Sequence, residues 1–294
     1  MTETDTKAML PHQQGILSSR TADLARQVFP EPIKDVLRQV VRAERAQYPL
    51  KEPHTAALGG YRARFWIRNH SDWYRIGSKD TEGNFAQDLI RTLSSSRGAF
   101  LDIGAAQGFY SIFAAKAGSR VYAVDPDPVS LDSIGRNIGL NEDVRGRITV
   151  LPVALGNEDG DVVLFSDKDG KYAPSLKRTV AGLEDKEVVK QSKLDTLVAK
   201  GILPIPDVVK IDVEGAEGMV LDGMQATLTS ESRPQHIFLE IHKSYLQLFG
   251  TDAESIFRKL KGYGYELPKD NVWPRRHEVH CHFVAAQPSQ NPQA

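Results

Sequence analysis

Two short stretches of the sequence concentrate side chains that could do chemistry. Residues 210–217 (KIDVEGAE) follow an apolar run and include three acids, among them Asp212. Glu240 and His242 close another apolar run and, because side chains alternate along a strand, they share one face. If the two runs are neighbouring parallel strands, Asp212, Glu240 and His242 meet at one edge of a sheet.

Three chemistries fit this cluster, and the sequence leaves them open. His242 could act as a general base toward a hydroxyl group. Asp212 and Glu240 could hold a divalent cation such as Mg²⁺, which would orient and acidify that hydroxyl. The carboxylates could instead balance the charge of a cationic ligand, and His242 could be a structural histidine. Glu214 is a candidate contact to the substrate.

Residues 102–108 (DIGAAQG) predict a ligand-binding turn between a strand and a helix. Gly104 and Gly108 permit positive φ and close approach of the backbone, and the helix that follows offers free N–H groups. The turn lacks the third glycine of the dinucleotide fingerprint, and Asp102 precedes it instead. An acid there suits a ligand with an ammonium group, such as the methionine end of S-adenosylmethionine. A tight turn without a ligand is the alternative.

A second acid, Asp125, ends the next apolar run about 20 residues after the turn, where a carboxylate accepts hydrogen bonds from ribose hydroxyls. A helix-capping role is the alternative for Asp125. Val153 and Ala154 end a third run and would lie against an adenine or belong to the core. The predicted cofactor-binding residues are Asp102, Gly104, Ala105, Gly108, Phe109, Tyr110, Asp125, Pro126, Val153, Ala154 and Asp212.

The elements that position these residues follow from the hydropathy pattern. Short apolar runs alternate with helical stretches, which is typical of an α/β fold with a mostly parallel sheet. Ligands bind such sheets at the carboxyl ends of the strands. Residues 147–155 predict a strand, residues 217–228 a helix, and residues 263–267 and 280–285 a terminal strand pair. The polar insert 167–193 predicts a loop with a short helix.

The histidines near the C-terminus invite a metal-binding interpretation. His277, His280 and His282 alternate on a predicted edge strand, where a surface position is the more common outcome. We therefore expect these histidines at the surface.

The chain divides into three predicted regions. Residues 1–80 form an N-terminal helical extension, residues 81–286 the α/β domain, and residues 287–294 a disordered tail. A stripe of apolar residues predicts a helix over residues 32–48. The extension is interpreted as a substrate lid or as a packing and homodimer contact.

Within the extension, Trp73, Tyr74 and Arg75 are candidate substrate contacts. Aromatic rings stack on sugar faces, and arginines bind phosphate or carboxylate groups.

Composition limits the remaining possibilities. The chain has 294 residues, is 40% hydrophobic and has a net charge of −1, which allows one substantial core and does not favour nucleic acid as a partner. A single cysteine excludes an intrachain disulfide, so we expect a reducing, cytoplasmic location. The sequence contains no secretory signal, no predicted membrane span and no Asn-Pro-Pro-aromatic motif of nucleic-acid methylation.

Taken together, these motifs resemble the FkbM family of methyltransferases. The string 210–217 is more specific than the glycine turn. Members commonly carry Asn-Ile where this chain has Ala106 and Gln107, and Glu where it has Asp125. The matching stretches are LDIGAAQGFYS (101–111), VYAVDPDP (121–128), VALG (153–156), KLDTL (193–197), PDVVKIDVEGAE (206–217), VLDGM (220–224) and FLEIH (238–242).

The resemblance implies a Rossmann-like class I methyltransferase fold, in which helices flank a seven-stranded, mostly parallel sheet. It implies S-adenosylmethionine as cofactor and O-methylation of a sugar, a glycan or a glycosylated metabolite. A polyketide or lipid hydroxyl is the alternative acceptor, and a catalytically silent cofactor-binding scaffold is the alternative from another class. On this interpretation His242 removes the proton, and Asp212 and Glu240 bind a metal or orient the reacting groups.

Overall fold

The computed structural model describes residues 48–76, 83–166, 173–178, 185–275 and 278–286. By its contacts the chain divides into residues 1–48 and residues 49–294, and the sheet belongs to the second unit. Residues 32–47 of the predicted helix 32–48 lie outside the described residues, and so does the whole predicted tail 287–294. The domain boundary expected at residue 80 also falls outside them, and so it stays a prediction.

Strands and helices alternate along most of the described chain. Its strands are β1 (His54–Leu58), β2 (Tyr61–Phe65), β3 (Ala99–Ile103), β4 (Arg120–Val124), β5 (Ile148–Leu151), β6 (Ala154–Leu155), β7 (Gly160–Ser166), β8 (Asp185–Ser192), β9 (Val208–Ile211), β10 (His236–Ile241), β11 (Tyr265–Glu266), β12 (Val272–Pro274) and β13 (Val279–Ala285). Its α-helices are α1 (His70–Ile76), α2 (Gly83–Ser96), α3 (Phe109–Lys116), α4 (Pro128–Gly139), α5 (Leu194–Ala199), α6 (Glu217–Asp222), α7 (Gln225–Thr229), α8 (Lys243–Leu246) and α9 (Ala253–Gly262).

The central sheet has the strand order β11-β13-β10-β9-β3-β4-β5, and β12 also pairs with β13. The five strands from β10 to β5 are parallel, whereas β13 runs antiparallel to β10. Later strands lie on both sides of β3, so the carboxyl end of β3 is the switch point at which such sheets bind ligands. This order confirms the predicted Rossmann-like fold.

The central strands are buried on both faces. All four positions of β9 are buried, as are the last four of β3 and of β4. Strands covered on both faces have near-continuous apolar sequences, and for this reason the central strands could be predicted from the sequence. Lys210 is the exception in β9, because it is a charged residue at a buried position.

Strands β1 and β2 form an antiparallel hairpin within residues 1–80, which were predicted to be a helical extension. The hairpin packs on the sheet domain through Phe65, which is fully buried and stacks on Phe109 at 5.5 Å. The side chain of Asn137 in α4 accepts a hydrogen bond from the Trp66 backbone N–H at 2.9 Å. The hairpin is therefore fastened to the helices next to the glycine turn.

Three predicted elements differ in the structure. The predicted strand 147–155 divides into β5 of the central sheet and β6 of a small sheet with the order β6-β8-β7. The predicted loop 167–193 contains β8. This strand is stabilised by backbone hydrogen bonds to β7, and its polar sequence gives no sign of a strand. The predicted helix 217–228 divides into α6 and α7 around Gly223, where close packing requires glycine, since a Cβ atom would lie 1.8 Å from the carbonyl oxygen of Gly156.

The C-terminal strands form the predicted pair of β11 with β13. The expected surface position of the histidines is wrong for His280 and His282, which are 0% and 5% exposed. They are buried because β13 has partners on both sides, with β10 on one and β11 and β12 on the other. His277 lies outside the described residues. Among the helices that the structure describes, none is long and apolar enough to cross a membrane.

Candidate active site

The glycine turn follows β3 and is shaped by close packing. Gly104 has φ +75°, and a Cβ atom at this position would lie 1.8 Å from the backbone oxygen of Asp212. Gly108 has φ +77° and makes ordinary contacts, so only its backbone conformation calls for glycine. The turn thus lies directly against the end of β9, and it brings the two predicted motifs together.

A cavity of about 420 Å³ opens at the carboxyl ends of the central strands. This volume is in the range of small-molecule sites. Two predicted cofactor residues, Asp102 and Gly108, are not among the described residues that line it. The predicted cofactor residues that do line it are Gly104, Ala105, Phe109, Tyr110, Asp125, Pro126, Val153, Ala154 and Asp212.

Asp102 is buried beside the cavity. Ser111 donates a hydrogen bond from Oγ to Asp102 Oδ2 at 2.6 Å, and Lys210 is its register partner on β9. Burial raises the pKa of Asp102, and the charge of Lys210 acts against that shift. Asp102 is therefore placed to interact with the protein's own buried lysine.

Asp125 lines the cavity just after β4 and is held there by the backbone. Its two oxygens accept hydrogen bonds from the backbone N–H groups of Ala106 at 2.8 Å and Asp127 at 3.0 Å. Burial raises the pKa of Asp125 to about 7. The helix-capping role belongs to Asp127, which accepts from the Ser130 N–H at the start of α4. Asp125 is thus fixed in the cavity wall without serving as the cap.

Lys210 supplies a cation that sequence analysis did not assign to the site. Its Nζ lies 3.1 Å from Asp212 Oδ2, 3.4 Å from Glu240 Oε1 and 5.0 Å from the centre of the Tyr110 ring. Burial alone would lower the pKa of Lys210, but the charges of Asp212 and Glu240 outweigh it and raise that pKa. The ammonium group therefore lies between the two carboxylates that were predicted to hold a metal.

His242 lies among four carboxylates. Its Nδ1 hydrogen-bonds Glu217 Oε1 at 2.9 Å, and its Nε2 is 3.7 Å from a carboxylate oxygen of each of Asp212, Glu214 and Glu278. Burial acts to lower the pKa of His242, but the Glu217 hydrogen bond and the surrounding charges raise it well above its usual value. The surrounding carboxylates therefore favour the protonated ring, and the ring accepts a proton only in its neutral form.

Glu214 projects from a strained turn into the same cavity. Its φ is +52°, which is uncommon for a residue with a side chain, and Gly215 follows with φ +102°. Ser175 donates a hydrogen bond from Oγ to the Glu214 backbone oxygen at 3.2 Å. Burial raises the pKa of the Glu214 carboxyl to about 7. This predicted substrate residue thus lines the cavity as a carboxyl group that titrates near neutral pH.

A second buried cation balances the acids on the β13 side of the cavity. His280 Nε2 lies 3.2 Å from Glu240 Oε2 and 3.1 Å from Glu278 Oε1. Burial acts to lower the pKa of His280, but these carboxylates raise it to about 9. Two groups in the described chain have the ligand types and spacing of a metal site, namely Asp212, Glu214 and His242, and Glu240, Glu278 and His280.

The predicted substrate residues of the extension have different positions. Arg75 lines the cavity, and Trp73 packs edge-on against His54 at 5.0 Å and is not among the described lining residues. The side chain of Tyr74 lies outside the described part of the chain. Sequence analysis missed Ser175, Arg275 and Glu278 as lining residues, because each comes from a segment with no motif of its own.

The sheet order, the glycine turn at its switch point and the carboxylate after the next strand define a class I S-adenosylmethionine-dependent methyltransferase. The chain matches the methyltransferase FkbM domain over residues 102–267, and it belongs to that family. It is 30% identical over 215 residues to hexuronic acid methyltransferase AglP of Haloferax volcanii. This alignment covers 72% of this chain and 81% of AglP. The family resemblance drawn from the motifs is thereby confirmed.

Solved methyltransferases are also similar to this chain. Methyltransferase FkbM from Methylobacillus flagellatus is 18% identical with a TM-score of 0.46, over 63% of this chain and 43% of that one. The alignment therefore spans less than half of the Methylobacillus chain. Magnesium protoporphyrin IX methyltransferase of Synechocystis is 13% identical with a TM-score of 0.42, over 71% of this chain and 80% of that one.

Proposed function

We propose that the protein transfers a methyl group from S-adenosylmethionine to a hydroxyl group of a sugar, with a uronic acid as the acceptor class. The acceptor class follows the relative AglP, which acts on a hexuronic acid. The observation that carries the proposal is the single cavity in which Asp125, the glycine turn and the carboxylates around His242 come together.

When bound, S-adenosylmethionine supplies an activated methyl group. The residues fit it chemically, because Asp125 is anchored by two backbone N–H groups and can accept from ribose hydroxyls. The backbone at Gly104 and Ala105 offers close approach at the start of α3, and Phe109 and Tyr110 offer apolar surface. The protein's main contribution is alignment, since methyl transfer is an in-line displacement.

The acceptor hydroxyl is a poor nucleophile and must give up a proton. The raised pKa of His242 favours its protonated form, so we assign proton acceptance first to Glu214, which projects into the same cavity. A base with a pKa near the working pH is the most effective. His242 then orients Glu214 and Asp212 through its charge, at 3.7 Å from an oxygen of each.

A divalent cation between Asp212 and Glu240 is not required in this proposal. The ammonium group of Lys210 already contacts both carboxylates, within 3.4 Å. We therefore expect turnover to survive removal of divalent cations with EDTA. Complete loss of turnover on chelation, restored by Mg²⁺, would instead support the metal role of Asp212 and Glu240.

The proposed function is tested by incubating the purified protein with S-adenosylmethionine and defined acceptors. We expect S-adenosylhomocysteine and a methyl ether on a glucuronic acid glycoside, both detected by mass spectrometry. A lipid alcohol and a polyketide alcohol serve as competing acceptors. Transfer to one of these and not to a sugar would overturn the sugar assignment.

Substitution of His242 tests the site itself. His242→Ala should reduce turnover strongly while S-adenosylmethionine still binds, as measured by calorimetry. Unchanged turnover in this variant would remove His242 from the catalytic site.

A further inference from the structure

Two arginines line the cavity beside its carboxylates. Arg75 lies in α1, and Arg275 directly follows β12. The proposed function gives no role to either arginine.

Helix α1 is held firmly beside the glycine turn. Asp72 is fully buried and accepts a hydrogen bond from Gln107 Nε2 at 3.1 Å. Arg68 donates to both Asp72 oxygens, at 2.8 and 3.0 Å. Arg75 follows Asp72 by three residues, so it lies on the same side of the helix. Its position in the cavity is thus set by the buried anchor at Asp72.

The guanidinium group of Arg75 is partly buried, it lines the same cavity as Glu214, and its charge acts to lower the pKa of Glu214 against the larger effect of burial. Within the described part of the chain, it makes no hydrogen bond or ion pair. A guanidinium group carries five N–H donors in a planar fork that matches a carboxylate. A partly desolvated donor set of this kind is suited to an anionic ligand.

Arg275 lines the same cavity and is bonded through its backbone to Glu278, a member of the carboxylate cluster. Its backbone N–H donates to the Glu278 carbonyl oxygen at 2.9 Å, and Glu278 Oε2 is 3.7 Å from His242 Nε2. Arg75, whose charge acts on Glu214, and Arg275, whose backbone bonds Glu278, thus both line the cavity that holds the carboxylates around His242. A negatively charged ligand would be repelled by those carboxylates unless cations faced it.

We infer that Arg75 and Arg275 form a carboxylate-binding site of this cavity, with Arg75 as its main donor. Two molecules carry a carboxylate that could enter: the methionine part of the cofactor, and a uronic acid acceptor. The acceptor source rests on the proposed function, whereas the cofactor source rests only on S-adenosylmethionine binding.

The test uses the full-length variants Arg75→Gln and Arg275→Gln. Arg136→Gln is the matched control, because Arg136 is 61% exposed on α4 and pairs with Asp132. Calorimetry compares S-adenosylhomocysteine with 5′-methylthioadenosine, which lacks the amino acid carboxylate. A second titration compares glucuronate with glucose on protein saturated with S-adenosylhomocysteine.

A charged hydrogen-bonded contact is worth about tenfold or more in affinity. If the acceptor supplies the carboxylate, Arg75→Gln weakens glucuronate binding by that factor and leaves glucose and S-adenosylhomocysteine binding unchanged. If the cofactor supplies it, the same variant weakens S-adenosylhomocysteine binding and leaves 5′-methylthioadenosine binding unchanged. Either result supports the inference, and wild-type affinities for all four molecules in Arg75→Gln would overturn it.

The two proposals fail differently. Methyl transfer to neutral and acidic sugars at equal rates, together with an unaltered affinity of Arg75→Gln for S-adenosylhomocysteine, would reject the carboxylate site and the preference for a uronic acid, and would keep methyl transfer to a sugar hydroxyl. Absence of methyl transfer to any sugar would reject the proposed function, while the cofactor titration would still decide the role of Arg75.

Discussion

Lys210 is a charge at the centre of the sheet, and its surroundings explain why it is tolerated there. Its side chain is 2% exposed, and it lies within 3.4 Å of carboxylate oxygens of Asp212 and Glu240. A buried ion pair contributes little net stability, but removal of one partner leaves an uncompensated charge in a medium of low dielectric constant. Lys210 therefore matters for the fold as well as for the shape of the site.

The substitution Lys210→Met should destabilise the protein by about 3–5 kcal/mol, because it leaves the carboxylates of Asp212 and Glu240 without their cation. Denaturant unfolding measures this change. Lys190→Met is the control, since Lys190 is 76% exposed where it pairs with Asp161, and its loss should change the free energy of unfolding by less than about 1 kcal/mol. Equal effects of the two substitutions would contradict the structural role of Lys210.

Glu214→Gln tests the proposed proton acceptor. The amide cannot accept the proton, so turnover should fall by about 100-fold or more, while cofactor affinity stays unchanged. In the wild type the base must be deprotonated, and burial raises the pKa of Glu214 to about 7. Turnover should therefore reach a plateau above that pH and decline below it, and the variant should lose this dependence.

The substitution keeps the size of the side chain, and three carboxylates remain around His242 to balance its charge, so folding should not be impaired. Glu231→Gln is the control, because Glu231 is exposed. A Glu214→Gln variant that retained both the rate and the pH profile of the wild type would show that another group receives the proton.

Single residues were predictable where a motif tied them to a strand end. Asp125 and Asp127 follow β4 directly, and the structure gives them separate tasks in the cavity wall and at the helix start. The raised pKa of His242 depends on Glu217, Glu214 and Asp212, which follow a different strand, β9, and Glu278 Oε2 lies 3.7 Å from its Nε2 as well. These carboxylates meet His242 only at the edge of the folded sheet, so the spacing of residues along the sequence does not predict the contact.

At the level of elements, the strands that form the sheet centre were predictable and the peripheral ones were not. β3, β4, β9 and β10 are nearly continuous apolar runs because both their faces are covered. In β2 only Ala63 and Phe65 are buried, and arginines occupy the positions between and before them. A five-residue strand with one buried face carries too few apolar positions to be distinguished from a loop.

The hairpin and the glycine turn share a buried hydrogen-bonding residue, Asn137. Its Oδ1 accepts from the Trp66 N–H and its Nδ2 donates to the Gln107 carbonyl oxygen, both at 2.9 Å. Asn137→Ala leaves these backbone groups unsatisfied, so it should lower the free energy of unfolding by about 2 kcal/mol or more. Because Gln107 belongs to the turn, the affinity for S-adenosylmethionine should fall as well.

Asn141→Ala is the matched variant for this prediction. Asn141 bonds the Arg64 backbone N–H and carbonyl oxygen at 3.0 and 2.8 Å, and no hydrogen bond of its side chain in the described chain reaches the glycine turn. It should therefore lower stability without a comparable loss of cofactor affinity. Cofactor binding that weakened equally in both variants would contradict a specific link through Asn137.

For the whole molecule, the motifs predicted the sheet and its switch point, whereas the extent of the domain depends on long-range packing. Contacts assign residues 49–294 to one unit, and the part of it that precedes α2 includes the hairpin and Arg75. Residues 49–60 show no alternation of strands and helices, and arginines and aromatic residues dominate only from residue 61 to residue 75. The predicted boundary at residue 80 was drawn where the alternation of strands and helices begins.

Two truncated chains distinguish these boundaries. A chain that begins at Pro49 should fold with a melting temperature and a cofactor affinity close to those of the full chain, because the hairpin, α1 and every described lining residue of the cavity are retained. A chain that begins at Gly83 loses Phe65, which is fully buried against Phe109, and the Asp72 contact to Gln107. Exposure of that apolar surface should lower the melting temperature and weaken cofactor binding, as measured by calorimetry. If the shorter chain matched the longer one in both measurements, the boundary near residue 80 would be correct, and the hairpin would be dispensable for the cofactor site.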